Sequence, residues 1–381
     1  MSNDRLHYMD NLRAIVMIMG VFFHAGLAYS PIMHQVWMSA SVEQHPAVDV
    51  INNFTHIFRM PLFFIVAGFF AALLMQKRGV KAFAKNRALR VGLPFVIFWP
   101  LVTAAIVIPI LALIEQGGEL PPLLRLIANA ADSPDQSEPP LTTTYLWFLY
   151  YLIMFYAVAC IAQKLPLAGL RQRIANMPAW AVVLVLPLVL LPGLGLTIVP
   201  IYPPESFIPT LWPFLFYGLF FAYGFVLFNS QGVVAGFKPL LPWLAVGSVA
   251  LYIAMAFMVP KEVTLETTHQ DWPVRAGLML CIAYIAVAMS MAGLILAKRY
   301  LDIRVGFMRY MADASYWIYL IHLPIVLLIQ YALMNVALGL VLEFLISSLG
   351  ALIICTLTYA LFVRSTWLGV LLNGKRQPRF S

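Results

Sequence analysis

Charged residues are scarce in this sequence: they make up only 10% of its 381 residues, whereas hydrophobic residues make up 62%. A soluble domain carries about 25% charged residues, so a soluble fold is excluded. The composition predicts a polytopic membrane protein whose length reflects the number of its membrane spans. The formal net charge of +8 requires no nucleic-acid partner, because basic residues held in cytoplasmic loops account for it.

Cysteine is also scarce. The three cysteines, Cys160, Cys281 and Cys355, fall in apolar runs and lack the spacing of a disulfide framework or a metal site. We expect them to be small buried hydrophobic side chains. No convincing internal repeat is present, which weakens the case for a transporter built from inverted halves. Because Arg13 and His24 interrupt the first apolar run, we predict a retained helix there rather than a signal peptide.

The apolar runs predict an all-α polytopic membrane protein with about ten transmembrane helices, forming one integral-membrane domain over residues 1–381. The predicted spans are 11–31, 52–76, 91–114, 144–163, 179–197, 211–229, 241–259, 276–297, 311–333 and 339–363.

The connections between the predicted spans alternate in charge. The charged residues of 77–90 are all basic, whereas those of 115–143 are mainly acidic. The segment 115–143 is also rich in proline. The positive-inside rule therefore places the basic loops and both termini in the cytoplasm. We expect long outer loops at about 32–50, 115–143 and 260–275, and we expect the second of these to be extended and partly ordered.

Two of the predicted helices each carry a histidine and an arginine. Arg13 and His24 are eleven residues apart, which places them on nearly one helix face about 16 Å apart along the axis. Asp10 lies one turn before Arg13, and on the second helix His56 and Arg59 are also one turn apart. An ionisable side chain in hydrocarbon costs at least a few kcal/mol and is usually retained for a function. These residues therefore predict a polar pocket inside the bundle.

A third histidine, His322, lies near the middle of a later span, and Ser315 and Tyr319 share its helix face. Counting helical rise from the span ends places His24, His56 and His322 at similar depth, at mid-membrane or a little outside it. We therefore expect three helices to bring their histidines together.

Structural interpretations of the same residues remain open. Each histidine could instead hydrogen-bond a neighbouring helix, and Arg13 could extend to the cytoplasmic head groups. The basic loop 77–90 either only fixes topology or also attracts a phosphate-rich donor. The aromatic run 145–151 is most simply a membrane-interface belt, with stacking of Trp147 against a sugar as the second interpretation.

At these residues the chain resembles the membrane-bound acyltransferase family 3 along essentially its whole length. The spacing of Arg13 and His24 and the Phe-Arg-Met motif carry most of the resemblance, and the Tyr-Pro-Pro motif favours a subgroup that acts on glucans. One departure is Ala67, where the family commonly has serine. The matching segments are Met9-Asp10-Asn11-Leu12-Arg13-Ala14, Phe58 to Phe69, Arg87 to Pro94, Leu146 to Leu149, Ile201-Tyr202-Pro203-Pro204 and Tyr319 to His322.

The resemblance implies an O-acyltransferase of the bacterial inner membrane. Its donor would be cytoplasmic acyl-CoA, which is a substrate rather than a resident cofactor. Its acceptor would be a glycan on the far side of the inner membrane. In the glucan subgroup the acyl group is succinyl and the acceptor is an osmoregulated periplasmic glucan. Besides these partners and the lipid bilayer we expect no nucleic acid and no metal. Two other functions stay open: acyl transfer to a different envelope glycan, and proton-coupled transport.

Acyl transfer to a hydroxyl needs a base and a group that stabilises the oxyanion. We predict His24 as the base and Arg59 or His56 as the stabilising group, although a histidine could also carry the acyl group. Arg13 is predicted to hold a donor phosphate or the free carboxylate of succinyl. The remaining predicted substrate-binding residues are Asp10, Tyr319, His322 and Trp147, and the predicted donor-binding residues of the basic loop are Arg87 and Arg90.

Overall fold

The computed structural model describes residues 7–131, 141–199, 202–230, 232–259 and 271–378. Within these ranges the chain is helical, and its only β-type contact is an isolated antiparallel bridge between Thr142 and Ser206. The predicted all-α fold class is therefore confirmed. The predicted outer loops 115–143 and 260–275 lie partly outside the described residues, as does Ile201 of the Tyr-Pro-Pro motif.

The helices vary from single turns to 42 residues. In chain order they are α1 (His7–Gly26), α2 (Pro46–Arg87), α3 (Leu93–Gln116), α4 (Pro122–Ala131), α5 (Trp147–Ala162), α6 (Ala168–Ala175), α7 (Ala179–Gly195), α8 (Trp212–Leu215), α9 (Tyr217–Leu227), α10 (Gly232–Gly236), α11 (Leu241–Ala256), α12 (Trp272–Tyr300), α13 (Gly306–Leu333), α14 (Leu340–Thr358) and α15 (Trp367–Asn373). Short 3-10 or π-helical turns occur at Leu27–Tyr29, Ala88–Gly92, Thr144–Leu146, Lys238–Leu240 and Tyr359–Val363.

Among the described residues, seven helical stretches are long and apolar enough to cross a membrane. Two shorter apolar helices, Ala179–Gly195 and Trp212–Leu227, accompany them. The stretch Pro46–Gln116 has 71 residues and contains two of the ten predicted spans, 52–76 and 91–114. The prediction of a polytopic membrane protein is confirmed, and each predicted span coincides with an apolar helix.

One expectation for the loops is wrong. Residues 122–131, predicted to be extended, form the helix α4. Pro122 opens the helix, where its missing N–H costs nothing and its fixed φ angle suits the helical backbone. The leucines and alanines that follow are good helix formers, so the proline pair at 121–122 begins a helix rather than extending the loop.

Glycine allows α2 and α9 to cross in direct backbone contact. A Cβ atom on Gly68 would overlap the carbonyl oxygen of Phe221, and one on Gly224 would overlap that of Ile65. Small residues at a crossing are how membrane helices approach closely, since lipid provides no hydrophobic drive for their association. This crossing fixes the position of α2, the helix that carries His56 and Arg59.

Helix α1 packs against both α2 and α13, so the three helices with the predicted histidines are direct neighbours. Buried amides hold α1 in register. Asn11 donates to the carbonyl oxygens of Leu301 and Ile303 at 2.7 and 3.1 Å. At the other end of α1, Gln330 donates to the carbonyl oxygen of Ala25 at 2.9 Å. Such hydrogen bonds stabilise the helix packing, because no water competes for the backbone groups inside the bilayer.

Candidate active site

Three histidines line one cavity of about 360 Å³ inside the bundle, which we call the histidine chamber. His24 comes from α1, His56 from α2 and His322 from α13. The ring centroids of His24 and His322 are 5.1 Å apart. The ring of Phe23 stacks on that of His56 at 4.9 Å and joins the two sides of the chamber. The structure therefore brings together the histidines that were expected to converge.

The backbone of α13 fixes the tautomer of His322. Its Nδ1 lies 3.1 Å from the carbonyl oxygen of Ile318 and 2.9 Å from that of Tyr319. A carbonyl oxygen can only accept, so Nδ1 carries the ring hydrogen and Nε2 of the neutral ring has a free lone pair. Nε2 is buried and has no partner among the described residues. It is thus oriented as a proton acceptor or a nucleophile.

His24 lies between His322 and an aromatic ring from the segment after α1. The indole of Trp37 stacks on the imidazole of His24 with centroids 6.0 Å apart and planes 21° apart. Nδ1 of His24 has no hydrogen-bond partner in the described part of the chain. The ring is therefore held by packing alone, and its nitrogens remain available to a substrate in the chamber.

Arg59 brings a buried positive charge to the chamber. Its side chain is only 5% exposed, and its guanidinium lies 4.2 Å from the ring centroid of Phe23. Gly20 makes room for it, because a Cβ atom there would lie 3.1 Å from Nη1 of Arg59. No carboxylate of the described residues forms an ion pair with it. An unpaired guanidinium in hydrocarbon is costly, and an anionic ligand or intermediate would offset that cost.

A second cavity, of about 370 Å³, is lined by Arg13, Arg87, Arg90 and Lys375, and we call it the basic cavity. Arg13 donates to the carbonyl oxygen of Ala312 at 2.8 Å. Nη2 of Arg13 also lies 3.6 Å from the carboxylate of Asp10 on the preceding turn. Since several guanidinium groups surround one space, the basic cavity suits a ligand with several phosphate groups.

The C-terminal segment covers part of the basic cavity. Asn373 donates to the carbonyl oxygen of Asp313 at 3.0 Å, and Gln377 donates to the Asp313 carboxylate at 2.9 Å. Between them, Gly374 ends α15 in the left-handed region, with φ of 80°. A Cβ atom on Gly374 would overlap the guanidinium of Arg90, so glycine allows this segment to lie directly on a cavity-lining arginine.

The two cavities are separated by a single layer of side chains. Met17, Phe63, Phe148 and Tyr319 line both the histidine chamber and the basic cavity, and we call them the shared wall. Two hydrogen bonds between Tyr145 and α13 hold one side of the shared wall. The hydroxyl of Tyr319 donates to the carbonyl oxygen of Tyr145 at 2.8 Å. The hydroxyl of Tyr145 in turn donates to the backbone carbonyl oxygen of Leu320 at 2.5 Å.

Every residue predicted for the site lines one of these cavities. His24, His56, Arg59, His322 and Trp147 line the histidine chamber. Asp10, Arg13, Arg87 and Arg90 line the basic cavity, and Tyr319 lines both. Arg13 and His24 share a helix face as expected, but their separation along α1 places them in different cavities.

The interpretation of the aromatic run 145–151 as an interface belt is wrong for its first residues. Tyr145, Trp147 and Phe148 are buried inside the bundle and line the histidine chamber. The run lies at the start of α5, where aromatic residues are common at an interface. Here, however, α5 packs against α2 and turns this part of the run inward.

Sequence reasoning missed several polar residues that line the cavities, among them Trp37, Asn53 and Glu205 in the histidine chamber and Lys375 in the basic cavity. Trp37 and Glu205 lie between helices, where no helical periodicity applies. The only sequence signal for Glu205 is its place directly after the Tyr-Pro-Pro motif. Within the described ranges, no group of three or more histidine, cysteine or acidic side chains is arranged to hold a metal ion.

Together these features define a multi-pass membrane protein in which the histidine chamber lies next to the basic cavity. Comparison with known proteins identifies the family: residues 6–360 match the model of the acyltransferase 3 family, described as an acyltransferase domain. The chain belongs to this family, which confirms the resemblance read from its motifs.

Distant relatives extend over most of the chain. It is similar to glucans biosynthesis protein C of Escherichia coli O17:K52:H18, with 26% identity over 352 residues, covering 85% of this chain and 83% of the relative. Glucans biosynthesis protein C of Escherichia coli O139:H28 and of Escherichia coli K12 show the same identity and coverage. No solved structure matches the chain.

Proposed function

We propose that this protein transfers an acyl group, specifically succinyl, from cytoplasmic acyl-CoA to a hydroxyl of a periplasmic glucan. The observation that carries the proposal is the arrangement of the two cavities back to back. The basic cavity offers guanidinium groups to the donor, and the histidine chamber offers neutral imidazoles and one buried cation to the acceptor. Family membership supports the acyl transfer, and the distant relatives named glucans biosynthesis protein C support the glucan.

The donor enters from the basic cavity in this proposal. The positive-inside rule assigns the basic loops, and with them Arg87 and Arg90, to the cytoplasm, where acyl-CoA is made. Arg87, Arg90 and Lys375 hold the phosphates of CoA, while Arg13 holds a phosphate or the free succinyl carboxylate. The thioester reaches the chamber when the side chains of the shared wall move apart.

The acceptor hydroxyl loses its proton to His24 as its oxygen attacks the thioester carbonyl carbon. A C–O bond forms, and the negative charge that develops on the carbonyl oxygen is stabilised by Arg59 or His56. The C–S bond then breaks, and the CoA thiolate leaves with the proton held by His24. The lone pair on Nε2 of His322, whose ring centroid lies 5.1 Å from that of His24, can accept a hydrogen bond from a neighbouring hydroxyl of the acceptor.

A two-step route uses the same residues. In it a histidine attacks the thioester first, CoA leaves, and the glucan hydroxyl then takes the acyl group from the imidazole. Nε2 of His322 suits this role because its tautomer leaves the lone pair free. The two routes differ in one observable: only the second leaves a labelled acyl group on the protein when no acceptor is present.

The decisive experiment uses the full-length protein reconstituted in lipid vesicles. Isotope-labelled succinyl-CoA is supplied on the side of the basic loops and a neutral glucan on the other side, and mass spectrometry detects the acylated glucan. We expect label on the glucan, with acetyl-CoA a poorer donor. Label that stays on CoA refutes the proposal, and uptake of an unmodified solute would indicate a transporter instead.

A further inference from the structure

We propose that Glu205 and Trp37 form a sugar-binding subsite in the histidine chamber, where the Glu205 carboxylate accepts hydrogen bonds from hydroxyls of the acceptor. This inference rests on the proposed function in taking the glucan as the acceptor. It assigns binding to two residues that lie between helices and outside the motifs that define the predicted site.

The backbone at Glu205 is firmly held. The N–H and the hydroxyl of Thr143 both donate to the carbonyl oxygen of Glu205, at 2.6 and 2.8 Å, and Thr143 is completely buried. The neighbouring residues form the bridge between Thr142 and Ser206, and the indole of Trp99 donates to the carbonyl oxygen of Thr142 at 2.9 Å. The segment after α7 is thus tied to the start of α5, which keeps the Glu205 side chain at the chamber.

Glu205 is the only carboxylate among the described residues that line the chamber, as Arg59 is the only guanidinium. The two do not form an ion pair, and no hydrogen bond from a described residue engages the Glu205 carboxylate. Burial raises the pKa of this carboxyl to about 7. A half-buried carboxylate without a partner costs free energy, and hydroxyl groups of a ligand would offset that cost.

Trp37 supplies the complementary donor. Its Nε1 is buried and has no partner among the described residues, and the indole stacks on the ring of His24. Tyrosine, tryptophan and proline surfaces beside a carboxylate suit the apolar face and polar rim of a sugar ring, and Tyr202 and Pro203 line the same chamber. A ring bound between Trp37 and Glu205 lies next to His24, which brings a hydroxyl to the proposed base.

The charge of Glu205 also selects the class of ligand. A carboxylate repels phosphate and carboxylate groups, so the subsite formed by Glu205 and Trp37 favours a neutral polyhydroxylated acceptor over an anionic one. The basic cavity on the other side of the shared wall has the opposite preference. The subsite and the basic cavity therefore differ in the charge of the substrate that each favours.

Protonation of Glu205 gives the subsite a pH dependence. Its pKa of about 7 means that the carboxylate predominates at pH 8 and the neutral acid at pH 6. Because a charged acceptor makes the stronger hydrogen bond, acceptor binding should strengthen as the pH rises through 7. The other titratable and charged groups of the chamber are His24, His56, Arg59, Tyr145, Tyr202, Tyr319 and His322.

The test measures binding of a neutral glucan oligosaccharide to full-length protein in nanodiscs by titration calorimetry, alongside acyl transfer. We expect Glu205→Gln to raise the acceptor Kd and KM about tenfold or more and to remove the increase in affinity between pH 6 and 8. Glu205→Asp should retain the pH dependence, and Trp37→Phe should weaken binding several-fold because it removes Nε1. The KM for the acyl donor should not change.

The matched control is Glu119→Gln, because Glu119 is an exposed acid that lines a different cavity. The subsite is overturned if Glu205→Gln has the same acceptor Kd and the same pH dependence as the wild type. It is also overturned if the wild-type protein binds no glucan. If the wild type binds glucan in a Glu205-dependent way but transfers no acyl group, the subsite stands and the proposed acyltransferase function fails.

Discussion

Replacing His24 with glutamine tests the proposed base directly. The substitution keeps a polar side chain of similar length but removes the imidazole, which can accept and release a proton. Since Nδ1 of His24 has no hydrogen-bond partner in the described structure, its loss leaves no buried protein group unsatisfied. We therefore expect the free energy of unfolding to change by less than about 1 kcal/mol.

The expected effect on the rate is much larger. General base catalysis contributes about 10²- to 10⁴-fold, which corresponds to roughly 3 to 5 kcal/mol of the activation barrier. His24→Gln should lower kcat by that factor and leave the KM for acyl-CoA unchanged, because the donor phosphates are proposed to bind in the basic cavity. The assay is transfer of labelled succinyl to glucan by purified protein in vesicles, with thermal unfolding measured on the same sample.

The matched control is His34→Gln, the same substitution outside the chamber. His34 lines a different cavity, and its Nδ1 lies 2.5 Å from Nε2 of Gln44. This variant should transfer acyl groups at the wild-type rate. If His24→Gln also transfers at the wild-type rate in correctly inserted protein, His24 is not the base and the proposed mechanism is refuted.

Three further predictions concern the cation of the chamber, the donor cavity and the fold. Arg59→Gln should lower kcat about 10²- to 10³-fold, measured at saturating donor, because one group that stabilises the oxyanion is lost. Gly374→Ala should raise the KM for acyl-CoA, since the added methyl group displaces Arg90, whereas Gly339→Ala, which introduces a methyl group at a similar φ of 83° with no atom nearby, should not. Gly224→Ala should lower the thermal stability by an amount equivalent to at least 1 to 3 kcal/mol, roughly the cost of overpacking, because its methyl group overlaps a carbonyl oxygen of α2.

Each of these predictions has a distinct contradicting result. An Arg59→Gln protein with an unchanged kcat would indicate that His56 alone stabilises the oxyanion. Equal KM values in the two glycine variants would mean that Arg90 does not contact the donor. A Gly224→Ala protein as stable as the wild type would show that α2 and α9 can move apart without cost.

The helical periodicity of the sequence was sufficient to place the ionisable residues of the site. His24, His56 and His322 each lie inside an apolar run, where a polar residue is conspicuous and its depth follows from helical rise. The three helices are neighbours because α1 packs against both α2 and α13. The expectation that these residues converge therefore needed little knowledge of tertiary structure.

Residues between helices could not be placed in the same way. Glu205 reaches the chamber only because Thr143 holds its backbone to the start of α5, a contact across 62 residues of sequence. The inward direction of Trp147 depends likewise on how α5 packs, since aromatic residues at a helix start suit an interface equally well. The division of the polar interior into two cavities depends on the shared wall, whose apolar members look like any core residues in sequence.

The two hydrogen bonds between Tyr145 and α13 bear on the proton gradient across the membrane. In the described part of the chain, the shared wall separates the two cavities with a layer of side chains. Protons driven by a transmembrane potential, worth about 2.3 kcal/mol per charge at 100 mV, then meet a barrier at this layer. In the proposed function, this layer would keep the gradient from discharging between turnovers.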